Sequence, residues 1–234
     1  MKGKSQNRGL GGIASRRRDA VRVKAKSQRS ESSRQWLLRQ LNDPYVAAAK
    51  DEGYRSRAAF KLLQLDEKFH FLKNDMRVVD LGAAPGGWSQ VVAQKLAGRG
   101  KIIALDLLPI KPIEGAECLE MDFLSDDAPE RIKELLNGPA DLVLSDMAPS
   151  TTGHARTDHI RIMTLAEAAA LLAHDVLAPG GTFVCKFFLG GAEKELLDRL
   201  KQDFKTVRHA KPPASRAESS ETYLVAQGFR SNKK

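Results

Sequence analysis

Cysteine is nearly missing from this chain: Cys118 and Cys185 are the only two in 234 residues. Two thiols cannot frame a small secreted domain, so a disulfide scaffold is excluded and a reducing, cytoplasmic setting is expected. Long apolar runs are missing too. The most hydrophobic helical stretch, Thr164–Pro179, is interrupted by Glu167, His174 and Asp175. It falls short of the roughly 18–20 apolar residues that a membrane-spanning helix needs, so no membrane partner is expected. No secretory apolar region precedes a small-residue cleavage site. The five histidines are scattered without H-E-x-x-H or Cys/His spacing, and no metal is expected. What remains is a globular balance, 42% hydrophobic and 29% charged, in a chain long enough to close one core without staples.

Acidic residues are scarce in one place only. Residues 1–34 carry eleven Lys and Arg against Asp19 and Glu31, while the remaining chain carries twenty-seven of each sign. The whole net charge of +9 is therefore a property of the N-terminal tail. With Leu10, Ile13 and two valines as its large aliphatics, that tail is too polar to offset its ordering entropy and is expected to be disordered. A basic arm of this kind suits nucleic acid, because each neutralised phosphate releases counterions. A solvated tail and an Arg-rich transit peptide are the other readings, and its glycines and weak amphipathic stripe argue against the second. One domain over residues 35–229 and a short basic end over 230–234 complete the expected organisation.

Within the domain, apolar periodicity alternates between strand and helix. Trp36–Leu41 reads as a short helix stopped by Asn42-Asp43-Pro44, and Ser56 as the cap of a helix through Phe60, Leu63 and Phe69. Strands are expected at Met76–Leu81, Lys101–Asp106, Asp141–Asp146 and Thr182–Phe187, with late strands at Thr206–His209 and Thr222–Gln227. Helices are expected at Trp88–Leu96, along Ile162, Leu165, Ala169, Leu172 and Val176 up to Pro179-Gly180-Gly181, and at Glu193–Lys201. Short strands buried on both faces and alternating with helices imply an α/β fold, a mostly parallel sheet flanked by helices.

In such sheets ligands sit beyond the carboxyl ends of the strands. The first strand ends in Asp80-Leu-Gly82-Ala-Ala-Pro85-Gly86-Gly87-Trp88. The dinucleotide pattern G-x-G-x-x-G is not met, and Pro85 removes an amide that a diphosphate cradle would use. The turn suits an adenosyl ligand without a diphosphate, with Asp106 at the next strand end placed for ribose hydroxyls. Asp122 reads on its own as a helix cap or loop acid. Lys186 lies in the apolar strand Phe183-Val-Cys-Lys186-Phe-Phe, where an unpaired ammonium is costly. Asp146, at the end of the neighbouring strand, is the natural partner. Lys61 by itself fits the solvated edge of a helix, and Glu221 fits a turn acid with Glu218 as a rival.

Four stretches carry a family resemblance: Tyr54-Arg-Ser-Arg-Ala-Ala-Phe-Lys61, Val79–Gln90, Ser145-Asp146-Met-Ala-Pro149 and Ala178-Pro-Gly-Gly181. From about Trp36 to Gly228 the chain resembles the bacterial ribosomal RNA large subunit methyltransferase E family, the RlmE or FtsJ type. The resemblance implies a Rossmann-like class I fold of about seven strands, the last antiparallel, and S-adenosylmethionine (SAM) as cofactor. It implies 2′-O-methylation of a uridine in large-subunit rRNA, on an assembled or near-assembled large ribosomal subunit; separately, a monomer is expected. By the same resemblance Gly86, Trp88, Asp106, Asp122 and Asp146 line the cofactor pocket, with Asp122 near the adenine amino group. Lys61, Asp146, Lys186 and Glu221 form the catalytic tetrad, with Lys186 as proton acceptor. Apart from the resemblance, the segment carrying Arg55, Arg57 and Lys61 adds positive charge suited to RNA phosphates; Arg208, Lys211 and Arg216 offer another edge of that groove, and each of these charges taken singly also reads as ordinary surface charge. Two rival readings are a catalytically silent rRNA-binding assembly factor and a 2′-O-methyltransferase acting on transfer RNA or messenger caps.

Overall fold

The computed structural model describes residues 31–149, 153–188 and 194–230. Residues 1–30 of the basic tail, Glu193 and residues 231–234 lie outside the described residues. Helix α1 spans Glu31–Leu41, so the last four residues assigned to the tail are helical rather than disordered. Pro44 starts a helix instead of only stopping one: α2 (Pro44–Asp51) has Asp43 as its cap, with Oδ1 accepting the Tyr45 N–H at 3.0 Å. Proline is tolerated at a first helical turn because its missing N–H has no partner there anyway. Helix α3 (Ala58–Phe69) begins after Arg57, with no side-chain cap, which corrects the expectation for Ser56. The Ser56 hydroxyl packs against Gly87, where an added Cβ would collide with it.

The remaining order is β1 (Met76–Leu81), α4 (Gly87–Leu96), β2 (Gly100–Asp106), β3 (Glu117–Glu120), α5 (Ala128–Leu136), β4 (Ala140–Ser145), α6 (Ala155–Val176), β5 (Leu177–Phe188), α7 (Lys194–Asp203), β6 (Phe204–Ala210) and β7 (Glu221–Phe229). The seven strands form one sheet in the order β3-β2-β1-β4-β5-β7-β6, with β7 antiparallel to both of its neighbours. Strand β5 starts earlier than its pattern suggests, directly after α6. Its Leu177 pairs with Ala140 before a register shift that absorbs Pro179-Gly180-Gly181. Strand β3 and helix α5 are absent from the expected elements. One is a four-residue edge strand and the other a nine-residue helix, both too short for a strong period.

Each face of the sheet buries its own apolar layer. Phe183, Cys185 and Phe187 join α5, α6 and α7 on one side, whereas Val184, Leu142, Leu144, Tyr223 and Val225 join α3 and α4 on the other. Fully burying each such side chain contributes roughly 1.5–3 kcal/mol. Successive strand residues point to opposite faces, so Lys186, two beyond Val184, continues the α3 side. Asp146, two beyond Leu144, does the same. Arg230 is not part of a free end: its guanidinium donates to the Lys201 and Gln202 carbonyls at the close of α7.

Candidate active site

Strand register and one helix bring the charged cluster together. Lys186 pairs with Tyr223 across β5 and β7, and Phe188 pairs with Glu221. Strands β4 and β5 run side by side through the pair Ser145–Cys185, so Asp146 emerges beside Lys186. Helix α3 packs over this end and supplies Lys61 from its first turn. The Lys186 ammonium donates to the Asp146 carbonyl at 2.6 Å and lies 3.1 Å from its Oδ1. The Lys61 ammonium donates to Glu221 Oε2 at 2.8 Å and stands 3.8 Å from Asp146 Oδ1. Lys61 and Lys186 are only 9% and 7% exposed, so neither is a solvated surface lysine. The four predicted residues are one ion-paired group.

Two further side chains complete it. The Tyr223 hydroxyl donates to Asp146 Oδ1 at 2.6 Å, and its ring lies 5.6 Å from the Lys61 ammonium. The Ser215 hydroxyl donates to Glu221 Oε1 at 2.7 Å. Burial alone would raise the Asp146 pKa, but Lys61, Lys186 and the Tyr223 hydroxyl outweigh it and hold the carboxyl below its usual range. Burial first, and then the Asp146 and Glu221 carboxylates, push the Tyr223 phenol well above its ordinary value, so it remains a donor.

A cleft of about 620 Å³ opens beside the cluster, and Asp146 lines both. Its other acids are Asp106 and Asp122, and among the described residues no Lys or Arg lines it. Asp106 ties the turn together, accepting the Ala84 N–H at Oδ2 and the Leu108 N–H at Oδ1, both at 2.9 Å. Asp122 Oδ1 accepts the Leu124 N–H at 2.9 Å. Gly82 forms part of the floor at φ +68°, and a Cβ there would collide with Met147. Gly86 and Trp88 stand behind the cleft rather than on its lining. Gly86 caps α4, while the Trp88 indole donates to the Ala58 carbonyl at 2.8 Å and packs against Tyr223. Asp80, beneath the turn, accepts the Ser89 hydroxyl at 2.5 Å. Burial, with smaller contributions from Asp146 and Asp106, raises its pKa to about 7.

The expected phosphate-facing cations are mostly committed elsewhere. Arg57 pairs with Asp43 and donates to the Ala214 carbonyl. Arg216 reaches the same Asp43 oxygen at 3.5 Å, and Lys211 donates to the Ala217 and Ser219 carbonyls. The Arg55 guanidinium donates to three backbone carbonyls. Arg208 is exposed on the edge strand β6. Arg57 and Gln64 hold the fully buried Ala214, and Arg216 reaches Asp43, so the segment 211–220 is anchored on both sides of Ser215 and keeps it beside Glu221.

An acid-lined cleft at the switch point of a mostly parallel sheet is where an open α/β fold binds its ligand, and with the family match that follows it defines a class I methyltransferase fold. The model of the FtsJ-like methyltransferase family matches residues 54–229, and the chain belongs to that family. It is 60% identical over 227 residues to the ribosomal RNA large subunit methyltransferase E of Paramagnetospirillum magneticum, covering 95% of this chain and 93% of that one. The enzyme of the same name from Azorhizobium caulinodans is 61% identical over 213 residues, covering 90% and 89%. A crystal structure of a Plasmodium falciparum protein described as a ribosomal RNA methyltransferase superposes with a TM-score of 0.68. It shares 32% identity and covers 75% of this chain and 98% of its own. No helix among the described residues is long and apolar enough to cross a membrane.

Proposed function

We propose that this methyltransferase moves a methyl group from SAM to the ribose 2′-oxygen of a uridine in large-subunit rRNA. The observation that carries the reading is Asp146, which lines the acid-rich cleft and at the same time holds Lys186 and Tyr223. A cleft that holds Asp106 and Asp122 besides the lysine-paired Asp146, with no cation among its described lining residues, repels a diphosphate and suits a positively charged sulfonium with ribose hydroxyls. Its volume is in the range of small-molecule sites.

SAM supplies an activated methyl group, and the sulfur keeps the bonding electron pair as S-adenosylhomocysteine (SAH) leaves. The protein has to hold the ribose and take the hydroxyl proton. Asp106, Asp122 and Asp146 would hold the cofactor, with Gly86 and Trp88 shaping the turn behind it. Lys186, as the neutral amine, takes the proton from the 2′-hydroxyl at its Nζ and becomes the ammonium that the Asp146 carbonyl and carboxylate hold in place. Lys61, fixed by Glu221, supplies positive charge where the oxygen becomes negative. The basic tail would hold RNA without sequence preference, and the large ribosomal subunit is the proposed substrate in the cytoplasm. The names of the relatives support the rRNA assignment.

The test is tritium transfer from labelled SAM to large ribosomal subunits, naked rRNA and transfer RNA, followed by nucleoside digestion. Label in 2′-O-methyluridine from the subunit or its rRNA is expected. Label only in transfer RNA would overturn the substrate assignment. No label despite demonstrated SAM binding would favour an assembly factor.

A further inference from the structure

Arg55 precedes α3 in a segment stitched to α4. Its N–H donates to Gln90 Oε1 at 3.0 Å, and Gln90 returns a bond to the Gly53 carbonyl at 2.9 Å. With its backbone fixed, the guanidinium bridges two parts of the chain. Nη1 donates to the Pro85 carbonyl at 3.2 Å and the Lys111 carbonyl at 2.6 Å, and Nη2 donates to the Pro112 carbonyl at 2.6 Å. Pro85 belongs to the glycine turn. Lys111 and Pro112 lie in the middle of a loop whose first residues, Leu107 and Leu108, line the cleft and are 67% and 64% exposed. Those leucines have little packing of their own to hold them. The loop seats directly on the turn, since a Cβ on Gly86 would lie 2.7 Å from the Ile113 Cδ1.

We propose that Arg55 is a positioning residue for the cofactor: it locks the loop 107–115 to the glycine turn and so holds the Leu107–Leu108 wall of the cleft. This rests on the reading of the cleft as the SAM site. Asp106 anchors the near end of the loop through Leu108, and Arg55 anchors its middle. A planar fork suits three carbonyls on two segments, whereas a lysine ammonium is a point donor that does not span them. Because its guanidinium is committed to three carbonyls of this chain, Arg55 is assigned to the loop rather than to a phosphate.

The test compares wild type, Arg55→Lys and Arg55→Gln in the full chain. SAH affinity is measured by calorimetry, SAM KM and kcat by transfer kinetics, and rRNA affinity across a salt series. Both variants should weaken SAH and raise the SAM KM by about tenfold, the size expected for losing one or two net hydrogen bonds. The kcat at saturating SAM and the salt slope of rRNA binding should stay at wild-type values. Amides of residues 107–115 should exchange hydrogen faster in both variants without cofactor, while those of β1 and β4 keep wild-type protection. Wild-type SAH affinity in Arg55→Lys, with a salt slope lowered by about one in Arg55→Gln, would instead make Arg55 a phosphate contact and overturn the proposal. Unchanged exchange in the loop would overturn it as well. A wild-type protein that binds no SAH would sink the reading of the cleft, and the exchange measurement would still decide whether Arg55 holds the loop.

Discussion

The carboxyl end of the sheet divides at Asp146 into two halves with opposite electrostatic designs. On the β1–β2 side, carboxylates face a cleft with no cation among its described lining residues. On the β5–β7 side, two buried lysines face two carboxylates at salt-bridge distance. The first half has unmatched negative charge and attracts a cation from outside. The second is paired within itself and rigid: with both lysines ionised its charges balance, and the proposed acceptor role requires Lys186 to enter the reaction as the neutral amine. Repulsion among acids is part of the design of the first half, and exact pairing is the design of the second.

The largest expected effect lies in the paired half. Lys186→Ala removes the proposed proton acceptor and should lower transfer about 10²–10⁴-fold, measured under single-turnover conditions with large subunits. A variant with wild-type turnover would remove Lys186 from the chemistry.

The unmatched half has a stability signature. Asp80 has a folded pKa raised to about 7, chiefly by burial and in smaller part by Asp146 and Asp106. Between the ordinary carboxyl range and pH 7 the folded state holds a proton that the unfolded state has released. Its contribution to stability is therefore fully present below the unfolded pKa and is lost as pH rises to about 7. Asp80→Asn should be more stable than wild type above that range, by on the order of 2–4 kcal/mol. The gain should grow from pH 4 to pH 7 and then level off in urea melts. A gain that does not change with pH would contradict this origin.

A smaller effect tests the support of the paired half. Ser215→Ala removes one hydrogen bond to Glu221, about 1 kcal/mol or roughly fivefold in rate. It should lower kcat by up to that factor and the melting temperature by about 2–4 °C, while SAH affinity stays near wild type. A lost SAH affinity would mean that the two halves are not separable.

Much of this arrangement is legible in the residues. Lys186 stands out because an ammonium inside Phe183–Phe187 needs a partner, and Asp146 is the acid at the adjacent strand end. The glycine turn and Asp106 are readable because their roles are local. Lys61 and Glu221 are not, since their pairing joins positions 160 residues apart and takes the resemblance to suggest. Tyr223 and Ser215 give no signal at all, being an aromatic in an apolar strand and a serine in a polar loop. Arg55 and Arg57 show a different limit. A run of arginines beside a site reads as an RNA-facing surface, and the fold also gives them carbonyls and one carboxylate from distant segments as partners. Side-chain charge is visible in sequence, but the partners the fold brings to it are not.

The most direct measurement is calorimetric titration of SAH into the wild type, Asp106→Asn and Lys186→Ala. If the halves divide the work as described, Asp106→Asn weakens binding about 10–100-fold, as expected for a hydrogen bond to a charged group, and Lys186→Ala binds as the wild type does. Equal loss of affinity in both variants would contradict the division at Asp146.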